Sequence, residues 1–162
     1  MDTKNVEFIK ILIVDDHPIV RQGIAMLLED EKDLVICGET GDANEAISLV
    51  GKLNPDLVIT DISLEKNANG IDLIHSLKER YPEILSLVIT MHEDTIYAER
   101  ALMAGASGFI MKKEVGDDIV AAIRTVLRGE LYLQDNLSRE MITKILRGSP
   151  KATKSPVERL TN

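Results

Sequence analysis

The 162-residue chain has no tryptophan, two phenylalanines, three tyrosines and one cysteine. A row of rings for stacking single-stranded nucleic acid is therefore missing, and the core must be aliphatic. Cys37 has no partner for an internal disulfide, which fits a reducing compartment. No run approaches 18 apolar residues, and the start MDTKNVEF has neither a basic n-region nor an apolar h-region. Neither a membrane span nor a secretion signal is read, and a cytoplasmic location is expected. Positive charge is short as well: 19 Lys and Arg face 27 Asp and Glu, a net charge of −8. That balance argues against phosphate-backbone binding by the bulk of the chain. A Walker-type glycine loop, a GxGxxG turn and a GxSxG elbow are all absent, which disfavours nucleotide hydrolysis, dinucleotide binding and serine hydrolysis.

What the chain does contain is an alternation. Short, β-branched apolar runs at Phe8 to Val14, Leu34 to Cys37, Leu57 to Thr60, Leu85 to Thr90 and Gly108 to Met111 are each followed by a stretch of helical period. The inward positions are Val20, Ile24, Leu27 and Leu28; then Ala43, Ala46, Ile47 and Val50; then Ile71, Ile74 and Leu77, before a stop at Tyr81-Pro82. A fourth helix is expected from about Asp94 to Ala104, ended by Gly105, and a fifth with Ile119, Ile123, Val126 and Leu127 inward. Strands this continuously apolar need cover on both sides, so the expected class is a doubly wound α/β fold around a five-stranded parallel sheet. Residues 1–129 make that domain. Residues 130–148 suggest an extra C-terminal helix through Leu137, Met141, Ile142 and Ile145, and residues 149–162 read as a linker. The last 19 residues carry a net charge of +4, leaving the body, residues 1–143, at −12.

In an open parallel sheet the ligand site lies at the carboxyl ends of the strands. The residues ending the runs here are Asp15-Asp16, Asp61, Thr90 and Lys112. Three carboxylates gathered on one rim repel one another unless a cation neutralises them, and hard oxygen ligands favour Mg²⁺. Such an ion and a nearby lysine would attract a phosphoryl group and leave Asp61 as the best placed nucleophile. An acyl phosphate there adds a charge of about −1.5 to −2 beside the Thr90 hydroxyl, enough to bias a two-state element. Asp after a strand is a common turn former and N-cap, any one of these residues alone reads as structural before functional, and Asp15-Asp16-His17-Pro18 is also a helix start with proline early in the first turn; the five together reverse that reading. The other chemistry-bearing residues are weaker. His17, His75 and His92 have no ligand spacing, so no zinc or iron centre is expected, and Cys37 reads as a small core hydrophobe.

The phrases ILIVDDHP, LVITDIS, LVITMHED and GASGFIMKKE, over about residues 8–129, resemble the receiver domain of bacterial two-component response regulators, in the subclass with a LuxR-type helix-turn-helix output. The resemblance implies a flavodoxin-like strand order 2-1-3-4-5 and a phosphorylation-controlled switch. Asp61 would accept the phosphoryl group from a sensor histidine kinase. Asp16, Asp61 and the Ser63 main-chain carbonyl would bind Mg²⁺, with Asp15 assisting through water, and Lys112 and Thr90 would hold the phosphoryl group. Thr90 and Phe109 would form the switch, and Ser63 and His92 would tune the phosphoryl lifetime. The implied output is dimerisation and DNA binding through a domain whose entry Ser155-Pro156-Val157-Glu158-Arg159-Leu160-Thr161 resembles, with no membrane partner and no enzyme turnover beyond self-phosphorylation and self-dephosphorylation. One stretch departs from the family pattern: no proline follows Asp61-Ile62-Ser63, and Gly70 lies nine rather than eight residues after Asp61. Two other readings stand beside this one. An aspartate-nucleophile phosphatase would need an Asp-x-Asp at the first strand, where two aspartates here are adjacent. A receiver-like interaction module without phosphorylation would follow if the longer loop blocked Asp61.

Overall fold

The aliphatic runs become strands and the periodic segments between them become helices. In the structure, a computed structural model that describes residues 7–64, 69–91, 95–112 and 115–133, the strands are β1 (Ile9–Val14), β2 (Leu34–Thr40), β3 (Leu57–Thr60), β4 (Leu85–Thr90), β5 (Gly108–Met111) and β6 (Tyr132–Leu133). Between them lie α1 (Pro18–Leu28), α2 (Ala43–Leu53), α3 (Gly70–Arg80), α4 (Thr95–Ala104) and α5 (Val115–Leu127). The sheet order is β2-β1-β3-β4-β5-β6, and the pairings from β2 to β5 are parallel. The expected order 2-1-3-4-5 is present. A sixth strand of two residues extends it beyond β5, where the Tyr132 amide donates to the Ser107 carbonyl at 3.0 Å. Two residues are too few for a pattern of alternation to register in the sequence.

The chain divides into two compact units, Met1–Tyr132 and Leu133–Asn162. The expected linker over 149–162 lies outside the described residues, as does the expected helix over 130–148 beyond residue 133.

Successive side chains of a strand point to opposite faces, and both faces are buried here. On one face Ile11, Ile13, Leu57, Ile59, Leu87, Ile89 and Ile110 pack with Ile24 and Leu28 of α1 and Ile119, Ile123 and Val126 of α5. On the other, Leu12, Val14 and Val58 meet Ala46 and Val50 of α2 and Leu73 and Leu77 of α3. That two-sided burial is why the strands read as unbroken apolar runs.

Two expectations shift. β2 runs on to Thr40 rather than stopping at Cys37, because its register with β1 moves by one residue: Ile11 pairs with Ile36 but Leu12 pairs with Gly38. The extra residue, Cys37, breaks the alternation, and Gly38 and Glu39 do not look like strand in the sequence. Leu27 is exposed rather than inward. The stripe α1 buries is the i, i+4, i+8 row through Val20, Ile24 and Leu28, and Leu27 sits one position off it.

The starts of α2 and α3 are satisfied locally. The side chain of Asp42 accepts from the Glu45 amide at 3.0 Å, and that of Asn69 accepts from the Ile71 amide at 2.7 Å. At the other end of α4, Gly105 takes φ +122°, a conformation closed to residues with a Cβ, and stops the helix where the sequence reading placed the stop.

Candidate functional site

Register builds the rim. Val14 of β1 pairs with Thr60 of β3, so the next residues, Asp15 and Asp61, leave the sheet side by side. Their backbones are held in turn: the Asp15 amide donates to the Thr40 carbonyl at 2.8 Å and the Asp61 amide to the Val14 carbonyl at 3.0 Å. On the far side Thr90 pairs with Met111, which places Lys112 one step beyond the fully buried Thr90.

Lys112 reaches across this rim. Its Nζ lies 2.9 Å from Asp61 Oδ2 and 3.1 Å from Asp15 Oδ2. Burial works to lower the pKa of this lysine, but the hydrogen bond and charge of Asp61, and then those of Asp15, outweigh it and hold the ammonium above the ordinary lysine value. The other oxygen of Asp61 accepts from the Ile62 amide at 2.7 Å. Asp61 thus faces the rim with one oxygen on a backbone donor and one on a charged donor.

Of the residues singled out from the sequence, the structure brings Asp15, Asp16, Asp61 and Lys112 together. Thr90 ends the neighbouring strand. Phe109 is fully buried in β5, three residues before Lys112. Ser63 is exposed and bridges to Asn69 across the loop after β3. His92 lies outside the described residues.

His17 is a member of the cluster that its lack of ligand spacing concealed. It stands at the N-cap of α1 without using its side chain as a cap. Its Nδ1 is instead 2.9 Å from Asp15 Oδ1, 3.0 Å from Asp16 Oδ1 and 3.4 Å from Lys112 Nζ. The signal available in the sequence was adjacency to Asp16, since a residue leaving a strand end carries its neighbour to the same rim. Arg21 was missed too: its guanidinium donates to the Asp15 carbonyl and pairs with Glu39 at 3.2 Å, tying α1 to the acidic turn.

The residues fit a divalent cation. Asp15, Asp16, His17 and Asp61 each offer one ligand atom, all within 4.8 Å of one another. Asp16 Oδ1 is buried and has no hydrogen-bond partner among the described residues, because the His17 nitrogen 3.0 Å away does not meet it in hydrogen-bond geometry. A buried carboxylate oxygen left so is costly in the absence of a positive charge.

Comparison with known proteins shows the family. The response regulator receiver domain family matches residues 11–124. The chain belongs to that family. It is 32% identical over 139 residues to the transcriptional regulatory protein DegU of Brevibacillus brevis, an alignment covering 86% of this chain and 58% of DegU. It is 32% identical over 137 residues to the oxygen regulatory protein NreC of Staphylococcus haemolyticus, covering 85% of this chain and 63% of NreC. The chain therefore spans less than two thirds of the length of these relatives. Among solved structures, a LuxR family two-component response regulator from Aurantimonas sp. SI85-9A1 superposes with a TM-score of 0.81 at 31% identity, covering 86% of this chain and 99% of that one. The isolated receiver domain of RcsB from Salmonella enterica, in the presence of the phosphomimetic BeF3⁻, gives 0.76 at 29%, covering 82% and 98%. A structure of two RcsB dimers bound to two parallel DNAs also gives 0.76 at 29%, covering 82% and 67%. The resemblance to the LuxR-type subclass is borne out.

Among the described residues no helix is long and apolar enough to cross a membrane.

Proposed function

We propose that Asp61 accepts a phosphoryl group from a phosphohistidine of a sensor kinase in a Mg²⁺-dependent reaction, and that the resulting charge controls dimerisation and a DNA-binding output. The observation that supports it best is the setting of Asp61: a buried carboxylate with Lys112 on one oxygen, the Ile62 amide on the other, and the acidic pair Asp15 and Asp16 beside it. Asp16, Asp61 and the Ser63 main-chain carbonyl would hold Mg²⁺, with Asp15 assisting through water. When bound, that ion supplies positive charge to the phosphoryl oxygens.

The remaining work belongs to the chain. The Ile62 amide and Lys112 orient the attacking carboxylate, and Lys112 then follows the charge from the carboxylate to the phosphoryl group. Thr90 donates its hydroxyl to that group, and Phe109 changes packing with it. Ser63 and His92 would set how readily water reaches the acyl phosphate. RcsB, captured with a phosphomimetic and as dimers on DNA, is the precedent for the dimeric, DNA-binding output, which in this protein requires residues that follow the receiver. The reading places the protein in the cytoplasm with its kinase and DNA.

The test is incubation of the 162-residue chain with Mg²⁺ and a small phosphodonor such as acetyl phosphate. A mass gain of one phosphoryl group is expected, lost in Asp61→Asn and on chelation of the metal. No adduct, or an undiminished one in Asp61→Asn, refutes the proposal.

A further inference from the structure

We propose that α1 is a homodimer surface: its outward stripe packs against α1 of a second copy of this chain, antiparallel, with Gly23 at the crossing. The inference rests on the reading above for its link to phosphorylation.

The stripe stands out in an acidic chain. Ile19, Gly23 and Met26 follow one another at i, i+4 and i+7, so they share one face of the helix. Ile19 is 77% and Met26 71% exposed, with Leu27 exposed beside them. Single exposed hydrophobes are common on protein surfaces, but three large ones grouped on one helix mark a contact.

Charge narrows the partner. The one charged residue of α1 is Arg21, and its guanidinium is spent on the Asp15 carbonyl and Glu39. By contrast α2, α3 and α4 expose charges, Lys52, Glu79 and Arg100 among them, and α5 presents the partly exposed Arg124. A partner recognised by opposite charge finds nothing to pair with on the α1 stripe. Two copies of this chain, whose bodies each carry −12, repel least where both present no charge.

Shape selects the same partner. A two-fold contact requires a patch complementary to itself. With a rise of about 1.5 Å per residue, Ile19 lies about 6 Å before Gly23 and Met26 about 4.5 Å after it. Antiparallel about that glycine, each Ile19 meets the partner's Met26. Nothing stands within 4 Å of where a Cβ on Gly23 would be, and a cleft of about 150 Å³ opens beside it, lined by Val20, Ile24, Leu27 and Lys112. The notch lets the two backbones approach and receives the partner's side chains. Lys112 also contacts Asp61, so a side chain seated in the cleft touches the residue that senses charge at the phosphoacceptor.

The experiment is sedimentation velocity of the 162-residue chain up to about 1 mM, untreated and after acetyl phosphate with Mg²⁺, since a contact of this size is weak. A concentration-dependent dimer is expected. Ile19→Lys and Met26→Glu should each weaken it about tenfold, and the two combined in one chain should restore it to within about threefold, because the opposite charges then meet across the two-fold axis. Gly23→Cys with Cys37→Ser should form a disulfide-linked dimer under mild oxidation, and Ser48→Cys with Cys37→Ser, exposed on α2, should not. Circular dichroism checks that each variant folds. A chain monomeric in both states overturns the inference and leaves the face to a different protein. A dimer that both single variants leave intact overturns it too, and the Asp61 reading then stands if the phosphoryl adduct forms. Failure of the combined variant to restore the dimer rejects the antiparallel crossing. A missing adduct beside a dimer lost in both single variants refutes the phosphorylation reading and upholds the α1 contact.

Discussion

Two ion clusters in this molecule share a charge pattern, one cation facing two carboxylates, and differ in their surroundings. At the carboxyl ends of the strands Lys112 bridges Asp61 and Asp15, with side chains 8%, 4% and 3% exposed. At the amino ends Arg124 of α5 bridges Asp33 and Glu31 in the loop before β2, with side chains 33%, 37% and 32% exposed. The distances are similar, 2.6 Å to 3.1 Å, so geometry does not separate them. Burial does. Arg124 is held above its ordinary pKa by the hydrogen bonds it donates to Asp33 and then Glu31, and Asp33 is lowered in return, but water screens the exchange. That cluster clasps α5 to the α1–β2 loop. In the buried cluster two carboxylates have given up their hydration and depend on whatever cation faces them. A desolvated pair of this kind at a strand-end rim marks a candidate functional site.

The contrast breaks most sharply at Lys112. Lys112→Ala leaves Asp15 and Asp61 facing each other without a counter-charge and should cost about 3 kcal/mol of stability in denaturant unfolding. Adding Mg²⁺ should recover part of that loss. Combining it with Asp61→Asn should cost less than Lys112→Ala alone, since one of the opposed charges is gone. Equal stability of Lys112→Ala and Arg124→Ala would erase the distinction between the clusters.

Gly70→Ala ranks next. An added Cβ would stand 1.9 Å from the Asp61 carbonyl oxygen, and the short bond from the Gly70 amide to the Ile62 carbonyl, 2.6 Å, locks the approach. The start of α3 must back away, at about 2 kcal/mol. Backbone NMR shifts should concentrate around Asp61 to Leu64 and leave Glu31, Asp33 and Arg124 unmoved. Shifts spread evenly over both clusters would mean that Gly70 packs the fold in general rather than the site.

Much of this was legible because it is written in strand ends. An apolar run that must be buried on both faces announces itself, and the residue that terminates it is carried to the rim by register. Asp15, Asp61, Thr90 and Lys112 follow from that alone. His17 did not, since a histidine in a helix start looks the same whether its ring faces solvent or the rim, and only the turn between Asp15 and Pro18 decides. Gly70 was visible as a departure in spacing, but its contact with the Asp61 carbonyl was not, because a close backbone approach leaves no trace beyond the glycine. β2 beyond Cys37 was hidden by a one-residue register shift, and the Arg124 cluster by separation: Arg124 stands 91 positions after Asp33, and exposed charges carry no pattern that pairs them.

The smallest effect belongs to that exposed cluster. Arg124→Ala should lower the melting temperature by no more than about 4 °C at low salt. In about 1 M salt, where the screening length falls to about 3 Å, its difference from the parent chain should vanish, while that of Lys112→Ala persists. The two clusters should also fail at opposite ends of the pH scale. Asp33 is lowered from 3.8 in the folded chain, so its contribution is present above that value and lost as pH falls through the lower folded one. Lys112 is raised from 10.5, so its contribution is complete below 10.5 and lost as pH rises through the higher folded value. Arg124→Ala should therefore flatten the acid limb of a stability profile and leave the alkaline limb alone. An alkaline limb altered by Arg124→Ala would show that the clusters are coupled through α5 and do not act separately.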